Sequence, residues 1–241
     1  MIFTTPITIL LAIGPASILA VPTGTVGSSI ADIIAKRYLD ADLVSKLEDG
    51  VCDLTSASMP AAPTPLPPPS TGLTLSHVAI GRGTQNYTCA SAAATETPKA
   101  KGAMASLFNA TCNAVRAPAV LANVTALALN YEIPTSEIAE TLLSGHHEFT
   151  DKGVPLFKLV TESVNYGMVY GKVIANSTAP TTASKGTNDL GSVLWLKLNG
   201  IDGDYKEVYR INTAGGAAPK TCEGINGEFT VPYAAEYWFW K

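Results

Sequence analysis

The clearest alternation of apolar and polar residues in the chain is Val193-Leu194-Trp195-Leu196-Lys197-Leu198. Successive strand side chains point to opposite faces, so the leucines share one face and Val193, Trp195 and Lys197 share the other. Apolar residues on both faces predict a strand covered at least partly on both sides. Short β patterns recur at 73–80, 86–90, 103–109, 148–150, 156–160, 168–175, 208–212 and 235–240, with Gly, Pro and Asn punctuating the intervals. Many short strands between turn signals predict a mainly β domain, an antiparallel β-sandwich or barrel of about eight to nine strands. Within it, residues 199–204 read as a hairpin loop, and Gly81-Arg82-Gly83-Thr84-Gln85-Asn86-Tyr87-Thr88-Cys89 reads as a strand–bend–strand.

The remaining patterns set the domain boundaries. Ile30, Ile33, Ile34, Tyr38, Leu39, Leu43, Val44 and Leu47 follow helical spacing, which predicts a helical N-terminal region over 21–58. Residues 59–70 carry Pro60, Pro63, Pro65, Pro67, Pro68 and Pro69 and predict an extended linker lying on the surface of a β-rich domain over 71–241. Residues 115–129 and 138–143 predict a helical excursion, and 176–188, rich in Ser, Thr and Ala, an exposed loop. Residues 7–13 are apolar except for Thr8, and Ala16-Ser17-Ile18-Leu19-Ala20 supplies small residues suited to cleavage. That run is shorter than the ~20 residues a membrane span needs, so 1–20 reads as a signal peptide.

Composition narrows the partners. Net charge is -4 and charged residues are only 15% of the chain, with no basic block, which argues against nucleic acid and against an anionic lipid surface. Cys52, Cys89, Cys112 and Cys222 are an even set behind a secretory signal and predict two disulfides, with three pairings open. No Cys-x-x-Cys pair suggests zinc. Four glycosylation sequons begin at Asn86, Asn109, Asn123 and Asn176. A secreted, extracellular glycoprotein without a membrane span is the expectation.

The stretch from Gly81 to Cys89 is followed in order by Leu107-Phe108-Asn109-Ala110-Thr111-Cys112, Ser144-Gly145-His146-His147-Glu148-Phe149, the strand Val193 to Leu198, Pro219-Lys220-Thr221-Cys222-Glu223-Gly224 and Val231-Pro232-Tyr233-Ala234-Ala235-Glu236-Tyr237-Trp238-Phe239. This ordered set resembles a family of secreted proteins with no established function, common in filamentous fungi and with shorter bacterial relatives. The resemblance runs from about Pro67 to the C-terminus. It implies the pairings Cys89–Cys222 and Cys52–Cys112. Members of that family sometimes carry the label malate dehydrogenase. Such an enzyme needs a strand, a glycine-rich turn and a helix in a parallel βαβ unit. Gly81-Arg82-Gly83 follows a strand pattern here, but a sequon and a cysteine come next, without helical periodicity. Malate dehydrogenase activity is therefore not expected.

Two clusters remain as candidate chemistry. His146, His147 and Glu148 could serve a hydrolase or a metal-dependent enzyme, with His77 or Glu223 as a further ligand. Strand alternation works against this by placing His147 opposite His146 and Glu148. Paired carboxylates drawn from Glu148, Glu223, Glu228 and Glu236 could serve glycoside hydrolysis, although nothing selects two of them. Asn212-Thr213-Ala214-Gly215-Gly216 reads as a wide turn or an anion-binding one. In the C-terminal strand, Tyr237 and Phe239 face one side and Trp238 and Trp240 the other; Tyr237, Trp238 and Trp240 are candidates for stacking on sugar rings. The leading expectation is a non-catalytic extracellular or cell-wall-associated module binding a surface glycan, with no cofactor and no metal. A secreted hydrolase and a structural wall protein are the alternatives.

Overall fold

The computed structural model describes residues 52–241. The signal-peptide reading of 1–20 and most of the helical reading of 21–58 lie outside the described residues. Within the latter, one 3-10 turn spans Leu54–Ser56, and the Asp53 carboxylate accepts from the Thr55 backbone N–H at 3.0 Å.

Eight antiparallel strands form a closed barrel rather than a sandwich. They are β1 (Leu75–Cys89), β2 (Lys99–Asn109), β3 (Leu143–Phe149), β4 (Pro155–Val160), β5 (Asn165–Ser177), β6 (Trp195–Gly203), β7 (Glu207–Gly215) and β8 (Gly227–Trp240). Each pairs with its sequence neighbours, and β8 returns to β1, which leaves no open edge. The helices α1 (Asn113–Arg116), α2 (Pro118–Ala128) and α3 (Glu137–Leu142) all fall in the β2–β3 connection. Pro118 opens α2, where its missing N–H costs nothing, and Ser136 Oγ caps α3 by accepting from the Ala139 N–H at 3.3 Å.

Three local expectations are corrected. The expected bend over 81–89 is absent, because β1 runs unbroken from Leu75 to Cys89 between β2 and β8. Its glycines serve close approach instead. A Cβ at Gly81 would press on the Tyr237 ring and Leu107, and one at Gly83 would collide with the Met104 carbonyl. The predicted loop at 199–204 is largely strand: β6 continues to Gly203, pairing with β5, and the turn begins at Asp204. The wide turn expected at 212–216 lies mostly within β7, which has a bulge between Ile211 and Ala214.

Alternation builds two cores on the two sides of one wall. Inside the barrel pack Ala79, Leu107, Phe157, Leu159, Val169, Leu198, Val208 and Phe239. Outside, Val78, Ile80, Trp195, Tyr209, Ile211 and Trp238 are covered by Ala114 and Leu121 of the helices. Ala57, Met59, Ala62 and Leu66 complete that cover, so residues 57–70 form a strap across the outer wall. Polyproline-like backbone leaves its carbonyls unbonded internally, and the barrel supplies donors for them. Tyr209 OH donates to Pro67 O at 2.8 Å and Lys197 Nζ to Pro68 O at 2.8 Å. Ser70 Oγ donates to Glu207 Oε1 at 2.6 Å, and Lys197 and Glu207 form a buried ion pair at 3.0 Å.

Two disulfides staple the fold. Cys52–Cys112 ties the segment before the strap to the N-cap of α1, and Cys89–Cys222 ties the end of β1 to the β7–β8 connection. Their Cα separations, 5.5 and 5.7 Å, are in the usual range for bridged cysteines.

Candidate functional site

The histidine cluster does not converge. His146 and Glu148 are exposed on the outer wall of β3, whereas His147 points into the barrel. His147 stacks on Phe157 with ring centroids 4.2 Å apart, and its Nδ1 lies 2.9 Å from Leu156 O. Burial pushes its pKa down to about 4. His77 also faces inward. Its Nε2 lies 2.9 Å from Ser144 Oγ and its Nδ1 3.0 Å from Thr111 Oγ1, and its ring stacks on Tyr166. Burial, with Lys241 adding to it, lowers its pKa to about 3. Ser144, His77 and Thr111 make a linear relay, but all three are buried, so no substrate reaches that serine. Among the described residues no group of three His, Cys, Asp or Glu side chains is arranged to hold a metal ion.

The aromatic strand is also occupied from within. Tyr237 is 0% exposed in the barrel interior, where its hydroxyl lies 2.8 Å from that of Tyr233. Trp238 is 1% exposed, and its Nε1 donates to Glu236 Oε2 at 2.9 Å. Neither ring offers a face to a sugar, which corrects the stacking expectation at both positions; the wall that needed aromatic cover was the molecule's own. Trp240 is partly buried and packs against the outer core.

The sequons divide by exposure. Asn123 on α2 and Asn176 on β5 are exposed, while Asn86 and Asn109 are half-buried. Asn109 Oδ1 accepts from both the N–H and the hydroxyl of Thr111, at 3.0 and 2.7 Å.

A cleft on the outer wall is where exposed polar groups and an aromatic ring meet. Strand register sets Glu148, Leu156, Tyr170 and Asp202 in one row across β3, β4, β5 and β6. Alternation turns Val169 inward and Tyr170 outward. The β3–β4 turn folds beside this row and forms one side of an open cleft of about 460 Å³, lined by Thr150, Asp151, Lys152, Val154, Tyr170, Ile201 and Asp202. Asp151, Lys152 and Asp202 are exposed and Tyr170 is half-buried. The Asp202 carboxylate accepts from the Gly203 N–H at 2.9 Å. The cleft thus offers an aromatic face, two carboxylates and an ammonium at one place. His146 lies two residues from Glu148 on the same wall. Sequence reasoning missed Tyr170 and Asp202. The strand pattern could have placed Tyr170 outward, but only the β5–β6 pairing brings it beside Asp202.

The architecture bears on the dehydrogenase label as well. Nicotinamide-binding dehydrogenases are built on a parallel sheet with crossover helices, whereas each strand pair described here is antiparallel. No helix among the described residues is long and apolar enough to cross a membrane. A family model described as "Protein of unknown function (DUF3455)" matches residues 69–241. No curated protein and no solved structure matches the chain.

Proposed function

Because this chain belongs to the family of proteins of unknown function DUF3455, we propose its role from its own geometry: it is a secreted, non-catalytic binding module for a cell-surface or cell-wall glycan. The observation that carries this reading is the wall cleft, where Tyr170 lies beside Asp151, Lys152 and Asp202. A sugar ring has an apolar C–H face that stacks on an aromatic ring and a rim of hydroxyls that bond carboxylates and ammonium groups. The volume of about 460 Å³ falls in the range of ordinary ligand sites. A barrel with no open edge gives a rigid support for such a site.

Secretion is part of the reading. The leader pattern at 1–20, two disulfides and four sequons are mutually consistent with passage through an oxidising secretory pathway. Asn123 and Asn176, exposed on the fold, are the positions proposed to carry glycans. Expression in a eukaryotic secretory host, followed by enzymatic deglycosylation, should lower the mass of the secreted chain. No mass change would refute glycosylation.

The binding test is a panel of cell-wall polysaccharides against the secreted protein, with and without EDTA. Binding to at least one polysaccharide, unaffected by EDTA, is expected. Tyr170→Ala should weaken it by about 1 kcal/mol, several-fold in Kd. Binding to none, or binding unchanged by Tyr170→Ala, would overturn the proposal.

A further inference from the structure

We propose that a second recess, enclosed by the strap, α2 and β8, binds a small apolar molecule bearing one protonated amine, with the Glu236 carboxylate as its counter-charge. The recess has a volume of about 250 Å³. Its walls include Met59 and Pro60 of the strap, Ala114 and Leu121 of the helices and Trp238 of β8, and Glu236 is the one ionisable group lining it. This site lies on a different part of the barrel from the Tyr170 cleft and does not depend on it.

The recess is built around that carboxylate. Glu236 is 1% exposed. Its Oε1 accepts from Asn212 Nδ2 at 2.7 Å, and its Oε2 from Trp238 Nε1 at 2.9 Å. An ionised carboxylate has about four acceptor positions, so these two bonds leave about two unfilled. Neither ion pair found among the described residues involves Glu236. A carboxylate out of water without a cation is costly, and here the adjoining space can admit one. Burial raises the Glu236 pKa, opposed by the bonds from Trp238 and Asn212, which agrees with a charge that its own protein compensates only in part.

The positioning group is itself unusual. Asn212 sits at the β7 bulge with φ +46°, a left-handed conformation that asparagine tolerates better than most residues. In that pose its Nδ2 donates both to Glu236 and to Ala122 O of α2, at 2.9 Å for the latter. One amide therefore fixes the helix, the bulge and the carboxylate together. Strained backbone held by its surroundings is a recurrent feature of binding sites. The apolar walls fix the rest of the ligand's chemistry: an aliphatic or aromatic body of on the order of ten heavy atoms, at interior packing density.

The test uses the full secreted chain with 2-phenylethylamine as probe and 2-phenylethanol as its neutral counterpart, followed by tryptophan fluorescence and titration calorimetry at pH 7. Saturable binding of the amine is expected, at least tenfold tighter than the alcohol. Glu236→Gln should abolish that preference while leaving Tyr170-dependent polysaccharide binding unchanged. As a second variant, Ala122→Leu fills the recess from an exposed helix position without touching the carboxylate, and it should block the amine. Lowering the pH should weaken amine binding as Glu236 takes up a proton. No saturable binding, equal affinity for amine and alcohol, or wild-type binding by Glu236→Gln or Ala122→Leu would each overturn the proposal.

Discussion

Replacing Glu207 by Gln should loosen the strap and cost about 3 kcal/mol, because it leaves a buried ammonium without its counter-charge. Lys197 and Glu207 are only 3% and 4% exposed, and they meet at 3.0 Å. In Glu207→Gln the ammonium keeps Pro68 O as acceptor but loses the negative charge. Lys197→Met strands the carboxylate with Ser70 and Tyr209 as its donors, at a similar cost. The double variant removes both charges, so its loss should fall short of the sum of the two single losses by about 2 kcal/mol. Urea unfolding followed by tryptophan fluorescence measures all three, and each single variant should lower the midpoint by about 1 M or more. Acid gives an independent arm. Burial alone would raise the Glu207 pKa, but bonds from Ser70 and Lys197 outweigh it and hold the carboxyl below the ordinary 4.5. A depressed folded pKa contributes stability above the unfolded value, and that stability is lost as pH falls through the folded one. The gap between wild type and Glu207→Gln should therefore narrow on acidification below about pH 4.5. Single variants within about 0.5 kcal/mol of wild type, or a strictly additive double variant, would refute the latch.

The buried histidines give an opposite starting point with the same direction in acid. His77 and His147 have folded pKa values lowered from 6.5 to about 3 and about 4. The stability they contribute is complete above pH 6.5 and declines as the unfolded chain takes up protons that the folded one refuses; near pH 5 the slope should approach about 2.7 kcal/mol per pH unit, halved in His147→Gln. A urea-unfolding series from pH 7 to 4.5 reads this, and a flat series would refute it. Gly83→Ala should cost at least about 3 kcal/mol, since its Cβ would strike the Met104 carbonyl and lie 2.6 Å from Ala105 Cα. Gly153→Ala, with open space around it, should lose only about 1 kcal/mol to its positive φ. Equal melting temperatures for the two variants would show that strand spacing is not the constraint.

The sequence by itself determined what alternation and covalent chemistry can carry. Period-two patterning placed Trp195, Lys197 and Leu198 on the correct sides of a wall covered on both faces, but it put Val193 with Trp195, whereas Val193 precedes the strand and packs on the inner core; the same rule separated Tyr237 and Phe239 from Trp238. The helical excursion between β2 and β3 was legible from the residue pattern at 115–129 and 138–143. The disulfide pairing came from resemblance to a family, because spacing left three choices open. Only the tertiary structure decided closure. The strand pattern of a sandwich and that of a barrel look alike until β8 is seen to pair with β1 along its whole length. Glycines 81 and 83 read as a bend because a sequence shows their freedom but not the neighbours that require their smallness. The groupings proposed as binding sites escaped for the same reason. Tyr170 and Asp202 are neighbours only through strand register, and Asn212 reaches Glu236, which alternation already sets beside Trp238, only through the β7 bulge. Local chemistry fixes which way each side chain points, whereas contacts between distant segments fix which side chains meet.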